Sequence, residues 1–172
     1  MSSPDGRHAA RRAFVAALAA ALGASACGFR LRGEATYAFS TAFVNAPGNA
    51  PFAAELTRAL DGSGGARVVA TAAAAQVTVD IVRIAEDKLV LSLSPGGRVQ
   101  EYALTKTVVF RVLGADGGEW SKAEEITVRR SYEFDDTQRL AREIQEQRLL
   151  REMQADAAQQ IVRRLQAVRP PA

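Results

Sequence analysis

From residue 76 to residue 134 the chain alternates apolar and polar side chains in three long runs, and this pattern constrains the fold more than any other feature of the sequence. A side-chain period of two marks a strand with one buried face. In the first run Val77, Val79 and Ile81 oppose Gln76, Thr78 and Asp80. The phase then slips, because Val82 and Ile84 are apolar on the other parity; a β-bulge produces this, and so does the end of one strand and the start of another. Leu89, Val90, Leu91 and Leu93 resume strand character before Ser94-Pro95-Gly96-Gly97. There proline fixes φ and glycine permits positive φ, so a hairpin follows. The return strand covers residues 99–113, with Tyr102, Leu104, Val108, Phe110 and Val112 on one parity and Lys106 interrupting them. After a glycine-rich turn at 114–118, residues 119–134 place Ile126, Val128, Tyr132 and Phe134 on one side and Thr127, Arg129, Ser131 and Glu133 on the other. Three consecutive strands of this kind predict a meander.

The flanking segments supply the layer that must cover the apolar face. Tyr37, Phe39, Thr41 and Phe43 predict a first strand over 37–45, and residues 67–70 a brief second one. Between them Asn49 can cap a helix, Pro51 suits its first turn, and Phe52, Leu56 and Leu60 form a stripe at four-residue spacing. Residues 61–65 stop it. A long helix is expected over 136–168, opened by Asp135, Asp136 and a Gln138 placed as in a capping box. Its stripe runs through Leu140, Ile144, Leu150, Met153, Ala157, Ile161, Leu165 and Val168, and Pro170 and Pro171 end it. Elements with one apolar side each satisfy one another as a two-layer α+β sandwich. The expected fold is a mostly antiparallel or mixed sheet of about four strands with two helices on one face. It forms a single domain over 36–168, with a short tail at 169–172.

The N-terminus reads as a targeting segment. Arg7, Arg11 and Arg12 form a basic region, and residues 13–26 are almost wholly apolar and end in small side chains. That run is shorter than the roughly 20 apolar residues a spanning helix needs. It closes on Ala24-Ser25-Ala26-Cys27-Gly28, a lipobox in which Cys27 is alkylated by lipid before cleavage. Ala24 stands where a bulkier apolar residue is commoner, so ordinary cleavage after an A-x-A site competes. A buried free thiol is a further alternative. Cys27 is the only cysteine, and lipidation disposes of a thiol that has no internal disulfide partner. The adjacent Arg11 and Arg12 read as ordinary signal charge without a fuller twin-arginine motif. Residues 1–26 are thus a signal peptide and 27–35 a lipidated tether.

Charge and composition narrow the functional classes. Three of the 22 basic and one of the 19 acidic residues lie within 1–26, leaving 19 against 18. A near-neutral body has no broad pull toward nucleic acid, so an anion site must be a local cluster. The one histidine, His8, lies in the signal segment, which leaves the mature domain without imidazole for general-base catalysis or metal binding. Gly62 to Gly65 lacks the lysine of a phosphate loop and precedes a strand, not a helix. Asp135 and Asp136 are explained as helix-opening residues, and the reading is of a non-enzyme without a metal.

At Cys27-Gly28-Phe29-Arg30-Leu31-Arg32-Gly33 the chain resembles the start of mature LptE, the lipopolysaccharide-assembly lipoprotein family. The resemblance continues through Glu101-Tyr102-Ala103-Leu104, Arg130-Ser131-Tyr132, Glu152-Met153, Ala157-Ala158 and Ile161-Val162-Arg163-Arg164-Leu165, in family order. It implies an outer-membrane lipoprotein on the periplasmic side, bearing diacylglyceryl and N-acyl lipid on Cys27 and no other cofactor. It also implies a plug within the β-barrel LptD that aids barrel assembly and the delivery of lipopolysaccharide. Family basic residues near the hairpin turn and at the start of the last helix are linked to lipopolysaccharide contact. The helix position matches Arg142; the turn position falls on Pro95, and Arg98, three residues on, can supply the charge instead. Arg129 and Arg130 are lesser candidates, and for each arginine a solvated surface charge is the bland reading. Arg30 stands where histidine is frequent in the family. The rival function is a lipid-anchored periplasmic binding protein serving an ABC-type lipid transporter, which would share signal, tether and fold.

Overall fold

In the computed structural model, residues 35–134 and 139–171 are described. The signal segment, Cys27, and the capping residues Asp135, Asp136 and Gln138 lie outside them. Five strands and two helices follow in the order β1 (Thr41–Asn45), α1 (Ala50–Asp61), β2 (Arg67–Val68), β3 (Val77–Leu93), β4 (Val99–Gly114), β5 (Glu119–Glu133) and α2 (Arg139–Leu165), with a short 3-10 turn at Ala72–Ala74. One sheet contains all the strands in the order β2-β1-β3-β4-β5.

The sheet is mixed, as expected. β1 runs parallel to β2 and β3, while β3, β4 and β5 form the antiparallel meander. Five strands replace the expected four or so because the brief segment at 67–68 pairs fully with β1, Thr41 beside Arg67 and Ala42 beside Val68. Two parallel neighbours need a crossover, and α1 supplies it. Tyr37 and Phe39 stand outside the ladder, their rings 5.2 Å apart, so the first strand is shorter than the alternation suggested.

The local chemistry of α1 is as read. Asn49 accepts the Phe52 N–H at 3.0 Å, Pro51 sits in the first turn, and Phe52, Leu56, Ala59 and Leu60 are buried. At the far end the Gly62 N–H bonds the Arg58 carbonyl at 2.9 Å. Gly65 then takes φ +77 with its backbone against Ala35, where a Cβ would stand 1.9 Å from the carbonyl oxygen. Only glycine fits that approach.

The slip at Val82 is a bulge within one continuous strand. Ile81 pairs with Phe110 and Arg83 with the adjacent Val109, leaving Val82 as the extra residue. Past the bulge, parity on β3 is reversed, so Ile84, Glu86 and Lys88 face the helices beside Val108, Lys106 and Leu104. β1 covers only Val77 to Asp80. Among the described residues no strand pairs with the outer edge of β3 beyond that point.

A single apolar cluster joins the layers: Val77, Val79, Ile81, Val108, Phe110, Val112, Ile126 and Val128 from the sheet, with α1 and the stripe Met153, Ala157, Ile161 and Leu165 of α2. Lys106, which interrupts the apolar parity of β4, is itself buried at 2 % exposure, its Nζ 2.5 Å from Glu86 Oε1. The lysine stem fills core space while its head reaches a carboxylate at the sheet edge. Ile144 departs from expectation, being 63 % exposed. It precedes Met153 by nine residues, and nine steps of about 100° place it on the opposite side of the helix. Arg142 and Glu146, eleven and seven residues before Met153, take the inward positions instead. Among the described residues no helix is long and apolar enough to cross a membrane.

Candidate functional site

The end of the sheet that carries the β3–β4 hairpin also receives the start of α2. β5 stops at Glu133, opposite Glu101, and the Phe134 N–H bonds the Gln100 carbonyl at 2.8 Å as the chain turns back. Contacts along α2 fix its direction: Glu146 meets Tyr132, Asp156 meets Arg130 and Arg164 meets Glu124. Earlier residues of α2 therefore lie nearer the hairpin. Arg98 and Arg142, from segments 44 residues apart in the chain, come to the same end of the fold.

Arg98 closes the hairpin turn. The Ser94 N–H donates to the Arg98 carbonyl at 2.7 Å, and the Arg98 N–H returns a bond to Ser94 Oγ at 3.1 Å. Gly97 adopts φ +77, the conformation the turn requires. Arg98 is exposed. Arg142 is half-buried; its Nη1 donates to Gln145 Oε1 at 2.7 Å, and its buried Nε has no acceptor among the described residues. Arg129 and Arg130 are neighbours on β5 and so point to opposite faces of the sheet. Arg129 is exposed on the face away from the helices, and Arg130 is already paired with Asp156. The four arginines do not converge on one point.

Between hairpin and helix lies a cluster that the sequence reading did not contain. Lys88 Nζ stands 2.5 Å from Glu146 Oε2 and 4.3 Å from the centroid of the Tyr102 ring, and the Tyr132 hydroxyl donates to the same Glu146 oxygen. Tyr102 packs on Tyr132 at 5.8 Å and edge-on to Phe134 at 5.2 Å. Burial raises the Glu146 carboxyl, but the hydrogen bonds from Lys88 and Tyr132 and the Lys88 charge overcome it, so the net shift is downward. Burial also raises the Tyr132 hydroxyl, and its bond to Glu146 adds to that. For Lys88, burial opposes the charge and is outweighed by Glu146 and Tyr132, leaving a raised value. The cluster ties the first half of α2 to the sheet through charge and aromatic contact. Two signals pointed to it: an acid at a core-facing position of α2, and the parity reversal that turns Lys88 inward.

Glu133 is exposed, and no group of three or more His, Cys, Asp or Glu among the described residues could hold a metal. The LptE family, described as lipopolysaccharide-assembly, matches residues 39–165. The chain belongs to the LptE family. The match begins beyond Cys27 and spans every strand and both helices of the described residues. Among solved structures, the chain is similar to the uncharacterized lipoprotein B from Nitrosomonas europaea, with 35 % identity, a TM-score of 0.71, and coverage of 81 % of this chain and 91 % of that one. The rare lipoprotein B from Shewanella oneidensis shares the fold at 23 % identity and TM-score 0.64, covering 74 % of this chain and 95 % of that one. A minor lipoprotein from Acinetobacter baumannii does so at 21 % identity and TM-score 0.64, over 77 % and 98 % of the two chains. No curated protein matches the chain. LptE membership ties the chain to lipopolysaccharide assembly.

Proposed function

We propose that this LptE-family chain is an outer-membrane lipoprotein, held by lipid on Cys27, whose body lodges in the lumen of the β-barrel LptD and assists barrel assembly and lipopolysaccharide delivery. The observation that carries the reading is the family match across the whole folded body, residues 39–165. The 35 % identity to a lipoprotein from N. europaea supports the anchor. Two or more acyl chains on Cys27 make attachment durable where one does not.

The sheet face turned away from the helices suits such a lodging. It presents Thr78, Thr105, Thr107 and Thr127, together with a compensated set in which Asp80 accepts from Asn45 at 2.7 Å and Arg111 at 2.9 Å. Lumens of large outer-membrane barrels are polar, and a face rich in hydroxyls and charged groups matches such a wall. In this reading the body is a scaffold and Arg98 and Arg142 offer guanidinium groups to lipid A phosphates, with Arg129 more distant and Arg130 occupied by Asp156.

Co-expression with LptD from the same organism and purification through a tag on either protein tests the plug. A stable complex that survives detergent extraction is expected. Recovery of each protein alone would overturn it.

A further inference from the structure

The chain enters the folded body at the end of the sheet opposite the β3–β4 hairpin. The Ala35 N–H donates to the Ser63 carbonyl at 3.1 Å, and Gly65 lies against Ala35, so the first described residue is fixed just past the C-terminus of α1. The starts of β1, β2 and β3, the β4–β5 turn and the last turn of α2 share this end. Seven residues separate Cys27 from Ala35, and fully extended they reach under about 30 Å. β3 alone, with 17 residues, is roughly 55 Å long. A lipid on Cys27 therefore holds this end of the body nearer to the bilayer than it holds the hairpin.

We propose that this end is a membrane seat, taking anionic phospholipid headgroups of the leaflet that holds the anchor. The inference rests on the lipid anchor proposed above and concerns the chain before a barrel encloses it. Charge placement selects the partner. Arg67 at the start of β2, Arg163 in the last turn of α2 and Arg169 beyond it are exposed, and none is paired with a carboxylate among the described residues. From Ala157 to Ala172 no acidic residue occurs. Nearby carboxylates are largely engaged: Asp61 accepts the Val68 N–H at 2.9 Å, Asp116 accepts the Gly118 N–H at 3.0 Å and Glu124 pairs with Arg164, which leaves Glu119 exposed. Guanidinium groups pair well with lipid phosphates. Aromatic placement agrees. Tyr37, Phe39 and Trp120 cross the same end, with successive ring centroids 5.2 and 6.5 Å apart; Phe39 is buried and the outer two are half-buried. Tyrosine and tryptophan, each an apolar ring with one polar atom, suit the headgroup level of a bilayer.

Trp120 is the only tryptophan of the chain, so its fluorescence reports on this end alone. The full-length protein, processed in cells and extracted from membranes, is added to vesicles of phosphatidylethanolamine and phosphatidylglycerol that contain brominated acyl chains and no lipopolysaccharide. Quenching of Trp120 is expected there, and not in phosphatidylcholine vesicles with the same brominated chains. It should vanish in about 1 M salt, where the screening length is about 3 Å. Arg67→Glu combined with Arg163→Glu and Arg169→Glu is expected to lower the seated-to-free ratio at least about tenfold, while flotation with the vesicles is unchanged. The salt titration of the parent chain gives the same reading without any substitution. Quenching that is equal in neutral and anionic vesicles, or indifferent to salt, would overturn the seat. A chain that floats without quenching removes the seat and leaves the anchor standing, whereas a chain that does not float removes the anchor and the seat with it.

Discussion

Lys88 Nζ lies 2.5 Å from Glu146 Oε2, and this contact joins the edge strand β3 to a helix 58 residues further along the chain. It is what holds the polar first half of α2, where Ile144 faces solvent and Arg142 faces inward, against the end of the sheet that carries the arginines.

Replacing the carboxylate as Glu146→Gln removes the charge and keeps an acceptor for Tyr132. With Lys88 39 % exposed, the loss in global stability is expected at about 1 kcal/mol or less. Hydrogen exchange should accelerate over residues 139–150 and stay unchanged around Met153. Equal acceleration along the whole helix would show that the cluster is not a local clamp.

The same cluster predicts a pH profile. Glu146 titrates below its ordinary 4.5, so its contribution is complete above that value and is lost as pH falls through the lower folded value. Lys88 and Tyr132 are raised above 10.5 and 10.0; their contributions are complete below those values and are lost as pH rises through the folded ones. Protection of the first half of α2, taken relative to the intrinsic exchange rate at each pH, should therefore be flat between about pH 5 and 10 and fall on either side. The Glu146→Gln variant should lose the acid limb.

Lys106 and Glu86 are not equivalent partners. Lys106→Met keeps the buried volume and removes a buried charge, and should leave stability within about 1 kcal/mol of the parent. Glu86→Ala strands the ammonium; because Glu86 is 47 % exposed, the expected loss is about 1–3 kcal/mol, below that of a fully buried pair. Denaturant unfolding ranks the two, and the reverse order would assign Lys106 a role beyond filling the core.

Two glycines with similar backbone angles should respond differently to alanine. Gly48 has φ +74 and open space around its missing Cβ, so Gly48→Ala carries only the left-handed strain, about 1–2 kcal/mol. Gly65→Ala adds a clash with the Ala35 carbonyl and should lower the thermal midpoint further.

Arg98→Glu combined with Arg142→Glu should weaken lipopolysaccharide binding and flatten its salt dependence, as lost phosphate pairing requires. Binding by the full chain at low and high salt gives both readings. Unchanged affinity would remove these residues as contacts.

The meander was legible because a period of two survives in sequence wherever one face is buried, and Val77, Val79, Phe110, Val112, Ile126 and Val128 obey it. The cap of α1 was legible for an equally local reason, a side chain bonding three residues on. Features needing two elements at once were not. The parity of Lys88 depends on a bulge that only pairing with β4 reveals, and the stripe drawn through Ile144 crosses a six-residue gap that turns the helix past its own inward face. Arg98 and Arg142 were found through family resemblance; their shared location is a product of topology, since β5 carries the chain back to the hairpin before α2 begins. Cys27, central to the proposed anchoring, lies outside the described residues.

The short reach of β1 leaves the outer edge of β3 beyond Asp80 unpaired among the described residues, yet Glu86 and Lys88 point inward from that margin. A foreign strand laid along it would have to seal both ion pairs away from water. Crowded copies of the chain are thereby discouraged from pairing along the part of that margin that carries Glu86 and Lys88.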